Sequence, residues 1–87
     1  MTELEQQTRE TLLRDLKLMI DPNEFKEETL LFDPVNGLGL DSLEALEVAT
    51  SLSNRFGVNF EGSDESDFQS VKTLAAYIER KKLEVQN

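Results

Sequence analysis

The side chain best placed to do chemistry is the hydroxyl of Ser42, in the run Leu38, Gly39, Leu40, Asp41, Ser42, Leu43. Asp41 suits the N-cap of a helix, because its carboxylate can accept from first-turn amides, and Glu44 three residues on can reach back to close a capping box. Ser42 then becomes the first helical residue, at the positive end of the helix, where free amides and the dipole favour a phosphate group. Gly39 lets the incoming backbone turn sharply or be approached closely. Leu38, Leu40 and Leu43 are expected to anchor the turn on the core. Taken alone, an Asp-Ser pair reads as an ordinary helix cap.

Other chemistries are thinly represented. The chain has no Cys and no His, which removes disulfides, thiol nucleophiles, imidazole bases and the usual zinc ligands. Most hydrolase mechanisms go with them, and no catalytic or metal-binding residue is assigned. The acidic segment from Asp21 to Phe32 fails the calcium-loop pattern, since Lys26 takes the sixth position, where glycine makes the turn, and Phe32 replaces the final acid.

Lys and Arg number 9 against 18 Asp and Glu, a formal charge of -9, which repels nucleic acids and anionic lipids and favours basic protein surfaces. Between Glu27 and Val71 the only cation is Arg55. No apolar run reaches membrane-spanning length, and the start of the chain (Thr2, Glu3, Glu5) lacks the basic and then apolar pattern of a signal segment. A cytoplasmic setting is the default reading.

The elements that must position Ser42 follow from periodicity. Leu4, Thr8, Leu12, Leu16 and Ile20 recur at helical spacing behind a Thr2/Glu5 capping box, predicting a helix from about Glu3 to Ile20 that Asp21 and Pro22 stop. The next twenty or so residues show neither helical nor strand period, yet carry Phe25, Leu30, Leu31, Phe32 and Val35; so long an ordered connection points to function. Ala45, Ala49, Leu52 and Phe56, flanked by Leu46 and Val48, form the apolar stripe of a second helix closed by Gly57. A single helical turn is expected within Gly62–Phe68. Ser70 caps a last helix with Val71, Leu74, Ala75 and Ile78 on one face and Arg80, Lys81 and Lys82 in its final turn. Three main helices, one short one and no strand give an all-α bundle in a single domain, residues 1–87.

The six-residue run, followed by acids at Glu44 and Glu47, closely resembles the attachment site of acyl carrier proteins, and the layout matches over nearly the whole chain. The resemblance implies a carrier that catalyses nothing itself. Ser42 would bear a 4′-phosphopantetheine arm, taken from coenzyme A and joined through a phosphodiester, with Asp41 and Gly39 beside it. The thiol at the tip of the arm would hold acyl groups as thioesters, which supplies the sulfur that a chain without Cys lacks. Asp41, Leu43, Glu44 and Glu47 would meet basic patches on a phosphopantetheinyl transferase (the holo-carrier synthase) and on acyl-loading and chain-elongating enzymes of fatty-acid, polyketide or related biosynthesis. The carrier would be a monomer.

Glu44 and Glu47 also fit a plain solvated face with acids obeying the helix dipole. Ala45, Ala49, Ala75 and Ala76 either let helices pack closely or leave an expandable seam for an acyl chain. At the far end of the motif helix Ser53, Asn54 and Arg55 stand where many family members continue acidic, so that surface is less negative. Asp41 and the high negative charge favour an acyl over a peptidyl carrier. An aminoacyl carrier and, from another class, an acidic interaction module without an arm are the alternatives.

Overall fold

A computed structural model of the chain describes residues 1–86, with side chains through residue 83. Helices α1 (Glu3–Asp15), α2 (Ser42–Phe56) and α3 (Val71–Gln86) are joined by a long connection and, before α3, by a single 3₁₀ turn at Glu65–Phe68. Among the described residues the only strand-like pairing is one isolated parallel bridge between Leu30 and Gly37. The chain is thus the all-helical bundle that its periodicity predicts.

α1 opens at the predicted Thr2/Glu5 capping box but ends five residues earlier than its apolar repeat suggests. Leu16 is the C-cap, and Lys17 adopts a left-handed conformation (φ 52°). Pro22 therefore does not stop the helix. The early stop lets Leu16, Leu18 and Ile20 fold back against the core, which a helix continued to Ile20 could not do on one stripe. Thr8 and Thr11 are buried in α1, and their hydroxyls donate to the carbonyls of Leu4 and Gln7, four residues back, at 2.7 Å each.

The connection is pinned at both sides. Phe25 and Leu31 are completely buried. Arg9 Nη1 of α1 donates to the carbonyls of Pro22 and Phe25. Leu31 N–H donates to the Gln69 carbonyl (2.9 Å), and Lys72 N–H, one of the amides that the first turn of α3 leaves unpaired, donates to Glu27 O (2.9 Å). These bonds satisfy some of the backbone polar groups of a segment without regular structure.

Val48 and Leu52 of α2, Leu12 of α1, and Val71, Leu74 and Ile78 of α3 meet in the core at 1% exposure or less, each worth about 1.5–3 kcal/mol in transfer terms. The Cα radius of gyration, 12.1 Å, equals the roughly 12 Å expected of a compact chain of this length. The buried face of α2 is rotated from the predicted stripe: it runs through Val48, Ser51 and Leu52, Ala45 and Ala49 border it, and Leu46 is 66% exposed. The α3 face holds as predicted, with Tyr77 added. Arg80, Lys81 and Lys82 lie a turn short of the end of α3, because the helix runs on to Gln86. Arg80 instead pairs with Asp67 (3.7 Å) and lies over the Tyr77 ring.

Candidate functional site

Asp41 has an extended backbone (φ -102°, ψ -174°) and caps α2: its Oδ1 accepts from Glu44 N–H at 2.9 Å, and Glu44 Oε1 accepts from Asp41 N–H at 3.3 Å. Gly57 closes the other end of the helix in the left-handed region (φ 69°). Ser42 is the first residue of the helix and is exposed. Because capping falls to its two neighbours, the Ser42 hydroxyl takes no part in any hydrogen bond among the described residues. Neither do the amides of Ser42 and Leu43, which point out of the helix start as open donors.

Gly39 has φ 67°, and a Cβ placed there would lie 3.4 Å from Pro34 Cα. That contact is an ordinary one, so of the two reasons for a glycine only the turn, through its left-handed backbone, holds at this position. Leu40 is buried in the core, and Leu38 packs against it. Leu43 does not anchor the turn: it is 73% exposed, because it points away from the side of α2 that carries Val48 and Leu52. Leu43 and Leu46 stand three apart and so share an outer face of α2, with Glu47 exposed beside them.

Sequence reasoning missed the cleft that opens at Ser42. It has a volume of about 920 Å³; Leu30, Phe32 and Leu40 form its apolar lining from the connection, and Phe68 of the 3₁₀ turn lies opposite Ala45 and Ser42 of α2. Phe32 and Phe68 are too far apart in the chain for any periodicity to pair them. Four acids, Asp33, Asp41, Asp64 and Glu65, are among its lining residues. Asp33 Oδ1 accepts from the amides of Val35 (2.8 Å) and Asn36 (3.0 Å), and these bonds hold its carboxyl below the usual range. Asp64 is held low by the Ser66 hydroxyl and, in smaller part, by the Ser66 amide. Gly37 closes the Asp33 turn, and a Cβ there would fall 2.1 Å from the Leu30 carbonyl oxygen, so no side chain fits.

Of the four alanines proposed to leave a seam, Ala45 lines this cleft and Ala49 a shallower one of about 370 Å³ beside Phe60. Ala75 is buried in the core and Ala76 is exposed, so neither belongs to a seam along α2. Among the described residues no cluster of acids is arranged to hold a metal ion, and no helix is long and apolar enough to cross a membrane.

Comparison with known proteins bears on this arrangement. A family profile described as "Phosphopantetheine attachment site" matches residues 6–78. The chain is 30% identical over 66 residues to an acyl carrier protein of Helicobacter hepaticus, covering 76% of this chain and 83% of the relative. It is 32% identical over 65 residues to one of Thermotoga maritima (75% and 76%) and 34% identical over 64 residues to one of Phaeodactylum tricornutum (74% and 80%). A profile that spans most of the chain, together with relatives covered over most of their length, shows that the chain belongs to the acyl carrier protein family, non-catalytic carriers that bear 4′-phosphopantetheine.

Proposed function

We propose that Ser42 is the residue that bears the arm and that the chain, acting as a single domain over residues 1–87, holds acyl intermediates for enzymes of fatty-acid, polyketide or related biosynthesis in the cytoplasm. One observation carries this reading: an exposed hydroxyl, engaged by no other group, at the first position of a helix whose cap is made by its neighbours. The residues fit a phosphodiester there, since the open amides of Ser42 and Leu43 and the helix dipole favour its negative charge. In the loading step Ser42 Oγ bonds to the phosphorus next to pantetheine in coenzyme A, the pyrophosphate P–O bond breaks, adenosine 3′,5′-bisphosphate leaves and the transferase takes the hydroxyl proton. When bound, the arm supplies the thiol on which acyl groups are carried.

The cleft beside Ser42 gives an apolar acyl chain a place out of water, at a gain of about 0.8 kcal/mol per buried methylene. Asp41, Glu44 and Glu47, with the exposed Leu43 and Leu46, form a docking face for basic partner surfaces. Leu46 joins the set on its exposure alone. Such mixed faces dock through apolar anchors, while the charges steer and orient. The carrier acts as a monomer. An acid before the serine and the charge of -9 favour acyl over peptidyl cargo, and the mass of the loaded thioester tells acyl from aminoacyl.

The test is to incubate the protein with coenzyme A and a phosphopantetheinyl transferase and to map the added mass. Modification confined to Ser42 and absent in Ser42→Ala is expected. No added mass with several competent transferases, or mass on another residue, overturns the assignment.

A further inference from the structure

Building on the carrier reading, we infer that Asp33 and Asp64 reserve the cleft beside Ser42 for acyl groups without a negative charge at their far end, so that carboxylate-terminated acyl groups ride outside it in solvent. The lining from Leu30, Phe32 and Phe68 accepts an uncharged chain, but the same lining carries two carboxylates, Asp33 and Asp64, whose places are set by main-chain bonds. Asp33 is held by the amides of Val35 and Asn36 at 2.8 and 3.0 Å, and Asp64 by the Ser66 amide at 2.9 Å. Neither can swing aside without breaking its turn, and both stay ionised at neutral pH, because those same bonds favour the charged form.

Asp41 and Glu65 add to the same field from the cleft's edge. Among the described residues no cation lines the cleft to offset it. Arg55 lies over the Phe56 ring at the opposite end of α2. Arg80, which acts on Asp64 from a distance, is occupied by Asp67 and the Tyr77 ring. With the open amides at the start of α2 taken by the phosphodiester of the arm, a cargo carboxylate entering the cleft would lose water and meet only like-charged side chains, the arrangement that costs most in a partly dry site. An uncharged end meets neither penalty.

Three six-carbon chains test the idea: hexanoyl, adipoyl and the uncharged monomethyl ester of adipoyl, each loaded on the full chain from its coenzyme A thioester by a transferase. The mass on Ser42 is checked first, and its absence in all three rejects the carrier reading, not the charge selection. Amide NMR shifts of Leu30, Phe32 and Phe68, relative to the form with the bare arm, then report entry. Hexanoyl and methyl adipoyl are expected to move these amides, and adipoyl to move them at least threefold less. In the double variant Asp33→Asn, Asp64→Asn, whose side-chain oxygens still accept the turn bonds, adipoyl is expected to regain at least half of the hexanoyl shift. Equal shifts for adipoyl and hexanoyl in the parent overturn the inference, and so does methyl adipoyl excluded like adipoyl. Adipoyl still excluded in the double variant overturns it too, since hydration of the carboxylate alone would then account for the exclusion.

Discussion

Ser51 of α2 donates its hydroxyl hydrogen to Asp15 Oδ2 at 2.5 Å, joining the last residue of α1 to the middle of the motif helix. Ser51 is buried, so the bond settles a polar group that would otherwise face the core unpaired. Arg14 Nε adds a second donor to the same carboxylate at 3.0 Å.

These two donors, the Ser51 hydroxyl first, lower the Asp15 pKa in the folded state, and hydrogen bonds do the same for Asp33 and Asp64. A depressed folded pKa stabilises the fold above the unfolded value, near 3.9 for aspartate, and that stability is lost as pH falls through the folded pKa. The overall loss of negative charge in acid acts in the opposite sense, because it relieves self-repulsion in a chain of charge -9. The two effects separate by comparison: denaturant unfolding between pH 7 and pH 2.5 should show a smaller acid loss in Asp15→Asn than in the parent. An identical pH profile would mean that the Ser51 contact contributes nothing.

Two glycines of the connection should differ in what an added methyl costs. Gly37→Ala places Cβ against the Leu30 carbonyl, so the Leu30–Gly37 bridge must open, at about 1–3 kcal/mol of overpacking cost. Gly39→Ala meets only the left-handed backbone penalty and an ordinary contact with Pro34, or roughly 1–2 kcal/mol. Urea midpoints of the two variants check the order.

Asp41 combines a structural role with a proposed docking role, and two substitutions divide them. Asp41→Ala should lose about 1 kcal/mol with the cap. Asp41→Asn keeps an accepting oxygen and should unfold like the parent, yet be modified more slowly by a transferase, with the salt dependence of that rate reduced. Equal modification rates for parent and Asp41→Asn would remove Asp41 from the docking face.

The two sides of α2 should respond oppositely. Val48→Ala and Leu52→Ala empty fully buried positions and should cost roughly 2–4 kcal/mol. Leu43→Ala and Leu46→Ala alter exposed side chains and should change stability by no more than about 0.5 kcal/mol. Their effect should appear instead as a higher KM for the carrier in transferase assays.

The motif helix was legible in the sequence because each boundary is made locally: an Asp/Glu box at one end and a glycine at the other. The end of α1 was not, since Lys17 enters the left-handed region with no sequence sign of it. What draws the chain aside there is tertiary, the Asp15–Ser51 bond and the burial of Phe25. Leu43 shows the limit of apolar patterning: a leucine beside a motif looks like an anchor until helical phase turns it outward. The cleft lay beyond sequence reading for a simpler reason. Its walls come from the connection, α2 and the 3₁₀ turn, brought together by core packing and by backbone bonds between residues far apart in the chain, such as Leu31–Gln69.

Capping of α2 by Asp41 and Glu44 leaves Ser42 without structural duties. With the arm on Ser42 as proposed, bare and armed forms can therefore share one architecture, and the enzyme that installs the arm would have no refolding to perform. A recyclable shuttle needs this independence: its handle can be fitted, emptied and refilled many times while the body holding it stays the same.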